Sequence, residues 1–192
     1  MGYDPNYFLD AAGVCAGARF VPSPHHDPRP EGEEISLLVI HNISLPPGEF
    51  GGPHIDELFL GRLDPEAHPY FREIAGLRVS SHFLVRRDGE LVQYVPCELR
   101  AWHAGQSQWK GRERCNDFSI GIELEGTDSI AYEPAQYRAL ANAIRALCDT
   151  YPSLSTQRIA GHSDIAPGRK TDPGDVFDWV RLRALLKVVG AR

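Results

Sequence analysis

The sequence predicts a single-domain α/β protein in which a central mixed β-sheet is flanked by α-helices. Short apolar runs typical of buried strands alternate along the chain with longer segments that carry an apolar face at helical spacing. A chain of 192 residues, 42% of them hydrophobic, fits one domain that needs neither a disulfide nor a metal to hold its core. The same composition excludes collagen, coiled-coil and wholly disordered proteins.

Four regions are predicted to contribute strands. The run from Ile35 to His41 is rich in leucine and β-branched residues, as expected of a buried strand. Residues 79–95 form two runs on either side of an Asp-Gly pair, which favours the tight turn of a β-hairpin. Two shorter strand candidates lie at 118–124 and 158–161.

Two amphipathic helices are predicted in the second half of the chain. One begins at Pro134, a residue that suits the first position of a helix, and ends before Pro152. The other runs from Phe177 to Val189. Residues 54–60 are expected to form a further helical turn or two. Two Pro- and Gly-rich stretches, of a kind that usually builds or covers a site, lie at 46–53 and 61–70.

The net charge limits the classes of binding partner, and the first residues indicate the cellular compartment. Acidic residues outnumber basic ones by 26 to 20, so a net charge of −6 argues against a general nucleic-acid-binding protein. The first residues lack the basic start and apolar run of a secretory signal, and no window reaches the ~20 apolar residues of a membrane span. Four scattered cysteines without a CxxC pair indicate free thiols. We therefore expect a cytoplasmic protein without nucleic-acid or membrane partners, and we expect a monomer.

Several residues able to bind a metal follow predicted strands. His41 ends one strand and meets a loop, and His162 follows a glycine at another strand-to-loop transition. Lys170 and Asp172 lie in a Pro- and Gly-rich segment whose composition predicts a folded loop, together with Asp164. Two imidazoles and a carboxylate suit zinc, with a fourth position left to water. The spacing alone is a weak signal, because the chain has no HExxH motif and each histidine could equally be structural.

Glu123 is a candidate for acid–base chemistry. Alternation places Glu123 and Glu125 on one face of an otherwise apolar strand, where a carboxylate is costly unless it is paired or functional. A charged residue on an edge strand would explain the same pattern. Arg78 and Arg114 could bind carboxylates through paired hydrogen bonds, although arginines are common on surfaces. Trp102 could equally be an aromatic residue of the core.

Together, these segments resemble the zinc-dependent N-acetylmuramoyl-L-alanine amidases, which share a fold with peptidoglycan recognition proteins and phage T7 lysozyme. The most similar members act in the cytoplasm on 1,6-anhydro-muropeptides during cell-wall recycling. The resemblance extends from about Val21 to Arg183 and rests on blocks at 37–51, 78–84, 100–105, 111–126 and 161–174. We therefore predict an N-terminal extension at 1–20 and a zinc amidase domain at 21–192.

The resemblance implies a role for each candidate residue. The family's ligands for one Zn²⁺ fall on His41, His162 and Asp172. Its catalytic carboxylate falls on Glu123 and its catalytic lysine on Lys170. The implied reaction is hydrolysis of the amide between the lactyl group of N-acetylmuramic acid and L-alanine. The residues that we expect to contact the muropeptide substrate are Asn42, Arg78, Trp102 and Arg114.

Two alternatives remain open at this point. A muropeptide-binding module without catalysis would share the fold, but relatives of that kind lose a metal ligand, whereas Lys170 and Asp172 are both present. An exported amidase acting on polymeric peptidoglycan would need the signal sequence that the first residues lack. His82 and His103 lie in the family blocks without being ligands, so we expect them to be structural or close to the substrate.

Overall fold

The computed structural model describes residues 7–187, which form twelve strands and five helices. The strands are β1 (Phe8–Leu9), β2 (Cys15–Ala16), β3 (Arg19–Phe20), β4 (His26–Pro28), β5 (Leu37–Ile43), β6 (Phe83–Val85), β7 (Leu91–Gln93), β8 (Leu99–Ala101), β9 (Gln108–Trp109), β10 (Arg112–Glu113), β11 (Ser119–Glu125) and β12 (Ile159–Gly161). The helices are α1 (His54–Phe59), α2 (Phe71–Ile74), α3 (Pro134–Thr150), α4 (His162–Ile165) and α5 (Trp179–Lys187). None of these helices has the length and apolarity needed to cross a membrane.

Six of the strands form the central sheet, in the order β12-β5-β11-β6-β7-β3. The first four run parallel to one another, whereas β7 runs antiparallel to β6 and parallel to β3. The sheet is therefore mixed, and the predicted α/β fold class with one domain is confirmed.

The two faces of β5 and β11 have different surroundings, because successive side chains of a strand point to opposite faces. On one face, residues such as Ile40 and Ile122 share a buried cluster with side chains of α3 and α5. On the other face, Leu37 and Val39 belong to a smaller cluster that includes Ile165 of α4. By alternation, His41 of β5 and Glu123 of β11 lie on this second face.

Most predicted elements are confirmed to within a few residues. The hairpin forms between β6 and β7, and α3 begins at Pro134 and ends before Pro152. The closing helix begins at Trp179, and its predicted last residues, 188 and 189, lie outside the described residues.

Two expectations about the site elements were wrong. β11 is a central strand with all seven residues buried, so an exposed edge does not explain Glu123. His162 begins the one-turn helix α4, which contains Asp164, where only a loop was expected. A single turn fits there because the helix ends before Pro167, and only the residues after it keep the predicted loop conformation.

The described part of the predicted N-terminal extension, residues 7–20, packs on the domain. β3 adds to the edge of the sheet beside β7, and Cys15 is part of the main buried cluster. The side chain of Gln93 accepts from the N–H of Cys15 at 2.7 Å and donates to the carbonyl oxygen of Gly13 at 2.8 Å. Packing is therefore continuous across the predicted boundary after residue 20. Residues 1–6 lie outside the described part of the chain. The four cysteines are unpaired.

One buried amide fastens the start of α3 to the ends of two central strands. Nε2 of Gln136 donates to the carbonyl oxygens of Val85 at 3.1 Å and Glu125 at 3.0 Å. Its Oε1 accepts from the N–H of Glu133 at 3.0 Å. Since buried backbone groups need partners, this side chain determines where α3 begins above the sheet.

We expect Gln136→Leu to lower the free energy of unfolding by about 2–4 kcal/mol, because it leaves these buried backbone groups unpaired. Urea denaturation followed by circular dichroism measures this change. Arg138→Ala, at an exposed position of the same helix, is the matched control and is expected to stay within about 0.5 kcal/mol of wild type. Wild-type stability of Gln136→Leu would contradict the anchoring role.

Candidate metal centre and active site

The parallel strands bring three site residues to one edge of the sheet. Glu123 on β11 is the register partner of His41 on β5. On the other side of β5, Gly161 of β12 pairs with Ile40, so His162 emerges next to His41. These residues lie at the carboxyl ends of parallel strands, the edge at which α/β proteins commonly place their sites.

The three residues implied as metal ligands, His41, His162 and Asp172, converge on one point, and their donor atoms form a triangle. Nδ1 of His41 lies 2.9 Å from Nδ1 of His162, and Oδ2 of Asp172 lies 3.2 Å and 3.0 Å from these two nitrogens. Tetrahedral zinc with bonds of about 2.0–2.1 Å separates its ligand atoms by about 3.3 Å, close to the sides of this triangle. Among residues 7–187, this is the group of side chains that could hold a metal ion, and its donor atoms suit Zn²⁺.

The protonation of these residues favours metal binding. Burial lowers the pKa of His41 to about 4, so its ring is neutral near pH 7, the form that binds metals. Burial by itself raises the pKa of Asp172, but the contacts of its carboxylate with the rings of His162 and His41 outweigh this effect and hold the pKa below its ordinary value. The triangle therefore offers a neutral imidazole at His41 and a carboxylate at Asp172, beside the imidazole of His162.

Nε2 of each triangle histidine, the ring nitrogen that points away from the triangle, has a defined partner. Nε2 of His162 lies 3.1 Å from the carbonyl oxygen of Ala104, so Nε2 carries the proton and Nδ1 presents its lone pair to the triangle. Nε2 of His41 lies 2.9 Å from Nδ1 of His103. His103 was expected to be structural or close to the substrate, and nothing in the sequence pattern marked Ala104.

Glu123 is enclosed, and one of its carboxylate oxygens is unpaired. Glu123 is only 8% exposed, and its Oε2 has no hydrogen-bond partner within the described chain. Burial and then the charge of Asp172 raise the pKa of Glu123 well above its ordinary value, while Lys170 acts in the opposite direction. A buried carboxyl with a raised pKa beside a metal centre is suited to accepting and returning a proton.

Two contacts hold the loop that carries Lys170 and Asp172. The N–H of Ser163 donates to the carbonyl oxygen of Asp172 at 3.0 Å. Oγ1 of Thr171 donates to Asp128 at 2.5 Å, and Nδ2 of Asn42 donates to the other oxygen of the same carboxylate at 2.7 Å. Asp128 therefore connects the loop to the ends of β5 and β11. Sequence reasoning missed this residue, because an aspartate after a strand resembles any polar turn residue.

One groove adjoins the triangle, and a second groove shares a lining residue with the first. The larger, of about 660 Å³, is lined by Asn42, Lys170 and Asp172. The second, of about 450 Å³, contains Arg114, and Arg169 lines both grooves. The apolar part of the larger groove is formed by Leu45, Leu58, Ile74 and Leu77.

The structure separates the four residues that were expected to contact substrate. Asn42 lines the larger groove, whereas Arg114 lines the second, where its Nε lies 3.1 Å from Oδ2 of Asp117. The guanidinium of Arg78 lies 5.2 Å from the ring centroid of Trp102, and within the described chain this pair lines neither of the two grooves. Substrate contact by Arg78 and Trp102 stays a prediction.

Known proteins are similar to this chain in sequence and in fold. Residues 31–175 match the N-acetylmuramoyl-L-alanine amidase family Amidase_2. The chain is 67% identical over 174 residues to the 1,6-anhydro-N-acetylmuramyl-L-alanine amidase AmpD of Escherichia coli strain K12, covering 91% of this chain and 94% of that protein. A crystal structure of a selenomethionine derivative of AmpD matches with a TM-score of 0.90 at 65% identity, covering 93% of this chain and 99% of the other.

A more distant structure contains a bound substrate. It is the complex of the E. coli N-acetylmuramyl-L-alanine amidase AmiD with anhydro-N-acetylmuramic acid-L-Ala-D-γ-Glu-L-Lys. It matches with a TM-score of 0.58 at 29% identity, covering 94% of this chain and 65% of the other. The family match includes the three residues of the triangle, because all of them lie within residues 31–175. The family predicted from the sequence blocks is confirmed, and the chain belongs to the N-acetylmuramoyl-L-alanine amidase family.

Proposed function

We propose that this chain is a zinc-dependent amidase of cytoplasmic peptidoglycan recycling. It cleaves the amide bond between the lactyl group of 1,6-anhydro-N-acetylmuramic acid and L-alanine. The observation that carries the proposal is the triangle of His41, His162 and Asp172 beside the unpaired carboxylate oxygen of Glu123. The activity of the relative with 67% identity supports this reaction, and the anhydro-muropeptide bound to AmiD supports the substrate class.

The residues divide the chemistry of amide hydrolysis between them. Zn²⁺ held by the triangle would supply a Lewis acid that polarises the scissile carbonyl and acidifies water. Oε2 of Glu123 accepts the proton of the attacking water and returns it to the nitrogen of the departing L-alanine. The ammonium group of Lys170 stabilises the negative charge that develops on the carbonyl oxygen.

The grooves match the parts of an anhydro-muropeptide. The larger groove falls within the size range of small-molecule sites and combines an apolar wall with polar groups, as a sugar ring requires. Asn42 offers this groove an amide beside the ligand Asp172. In the adjoining groove, the guanidinium groups of Arg114 and Arg169 are suited to the carboxylates of the peptide. In this arrangement the scissile amide would lie where the two grooves meet, near Arg169, with Asp172 lining the larger groove.

Removal of the metal tests the proposal directly. We expect the purified protein to bind one Zn²⁺ per chain and to release tripeptide from anhydromuramyl-tripeptide. Chelation and His162→Ala should each abolish release, and added Zn²⁺ should restore only the chelated wild type. Metal analysis and chromatography of the products measure both quantities. His54→Ala, on α1 outside both grooves, is the control that keeps metal and activity. Full release by metal-free protein or by His162→Ala would overturn the proposal.

Substitution of Glu123 separates proton transfer from metal binding. We expect Glu123→Gln to lower kcat by about 10²–10⁴-fold, the usual contribution of a general acid–base. Zinc content should stay at the wild-type level, because Glu123 is not one of the triangle residues. Steady-state kinetics and metal analysis on the same sample measure the two effects. A fully active Glu123→Gln protein would remove Glu123 from the mechanism.

Lys170 can be tested by removing its charge alone. We expect Lys170→Met to lower kcat by about 10²–10³-fold, as the loss of one group that stabilises an oxyanion does. Lys110→Met, at an exposed lysine in the β9–β10 turn, is the matched control and should leave kcat unchanged. Equal kcat values for the two variants would exclude the proposed role.

A further inference from the structure

His41 contacts a second histidine on the side away from the triangle. Nε2 of His41 lies 2.9 Å from Nδ1 of His103, and Nε2 of His103 lies 3.2 Å from Oγ of Ser119. The rings of the two histidines meet edge to face, with centroids 5.0 Å apart. Ser119 is fully buried at the start of β11. The contacts thus form a line from the metal-binding triangle to a buried hydroxyl.

We propose that His103 is a positioning residue that fixes the ring orientation and the tautomer of His41, so that Nδ1 of His41 is available to Zn²⁺. The inference rests on the zinc site of the proposed function and adds a residue to it. Metal-binding histidines generally depend on a partner at their second nitrogen, and losing that partner weakens metal binding. Here the partner is another imidazole rather than a carboxylate or a carbonyl group.

The positions of the protons follow from the contacts. When Nδ1 of His41 presents its lone pair to the triangle, the proton of the neutral ring is on Nε2 and is donated to Nδ1 of His103. Nδ1 of His103 must then be unprotonated, so its own proton is on Nε2 and is donated to Oγ of Ser119. The opposite tautomer of His103 would set two N–H groups against each other across a 2.9 Å contact.

β11 is shaped to receive the ring of His103. A Cβ at Gly121 would lie 2.5 Å from Cγ of His103, so the ring occupies space that a side chain on this strand would fill. The N–H of Gly121 donates to Nδ1 of His82. The ring centroids of His82 and His103 are 5.7 Å apart. Ser119, Gly121 and Glu123 alternate on one face of β11. They supply the acceptor for His103, the space for its ring and the proposed catalytic carboxylate.

Consecutive residues orient both imidazole ligands. His103 holds Nε2 of His41, and the carbonyl oxygen of Ala104 holds Nε2 of His162 at 3.1 Å. Oδ1 of Asn116 accepts from the N–H groups of both His103 and Ala104, at 3.2 Å and 2.8 Å. One anchored dipeptide therefore sets the direction of both rings, which a residue that merely fills space would not do.

The affinity for Zn²⁺ tests the role of His103. We expect His103→Leu, measured by competition with a chelator, to bind Zn²⁺ about 10–100-fold more weakly than wild type. His103→Asn should stay within a few-fold of wild type, because its amide oxygen can accept the proton of His41 in place of Nδ1. In ¹⁵N spectra of the zinc-loaded wild type, His103 should be the neutral Nε2–H tautomer and His41 should carry its proton on Nε2.

Ile144→Ala controls for a loss of stability, since Ile144 lies in the core on the opposite face of the sheet. This variant should unfold more easily and keep wild-type zinc affinity. The inference fails if folded His103→Leu binds Zn²⁺ as wild type does, or if Ile144→Ala loses as much affinity. A His41 proton on Nδ1 in wild type would also overturn it, even if His103→Leu does not fold. A wild-type protein without zinc affinity would instead overturn the proposed function.

Discussion

The parallel pairing of β5 with β11 is the constraint on which the rest of the structure depends. Its register sets His41 beside Glu123, and alternation turns both side chains away from α3. Ile40 and Ile122 hold this register because both must face the main core. A slip of one residue would bury the two polar side chains among apolar groups and turn the isoleucines outward. The hydrophobic packing of α3 therefore determines where the polar groups of the site lie.

The site concentrates unfavourable interactions that the rest of the fold offsets. Two imidazole nitrogens and a carboxylate oxygen lie within about 3 Å of one another, and the neighbouring carboxyl of Glu123 has an unpaired buried oxygen. Such a cluster is stable when a proton or a cation lies among its members, so a metal ion bound there would stabilise the fold. The hydrogen bonds of Asp128 and of Asn116 hold the surrounding segments in place against this strain.

The grooves near the site are less acidic than the chain as a whole. The net charge is −6, yet the charges that line the two grooves balance, with three basic residues, Arg114, Arg169 and Lys170, against three acidic ones, Glu113, Asp128 and Asp172. A carboxylate-bearing peptide would therefore respond to the individual basic groups of the grooves rather than to the total charge. The overall acidity therefore bears on nucleic acid as a partner, and it has little bearing on a small carboxylate-bearing substrate.

The sequence by itself determined the secondary-structure elements that have a local cause, such as α3 between its two prolines and the hairpin at Asp-Gly. The motif blocks predicted the family and the candidate residues of the site. Only the tertiary structure decided that β11 is central, that residues 7–20 pack on the sheet and that His103 and Ala104 contact His41 and His162. The physical reason is sequence separation. Periodicity shows which face of a strand is apolar, but not which strand lies next to it, and His103 reaches His41 across 62 positions of the chain.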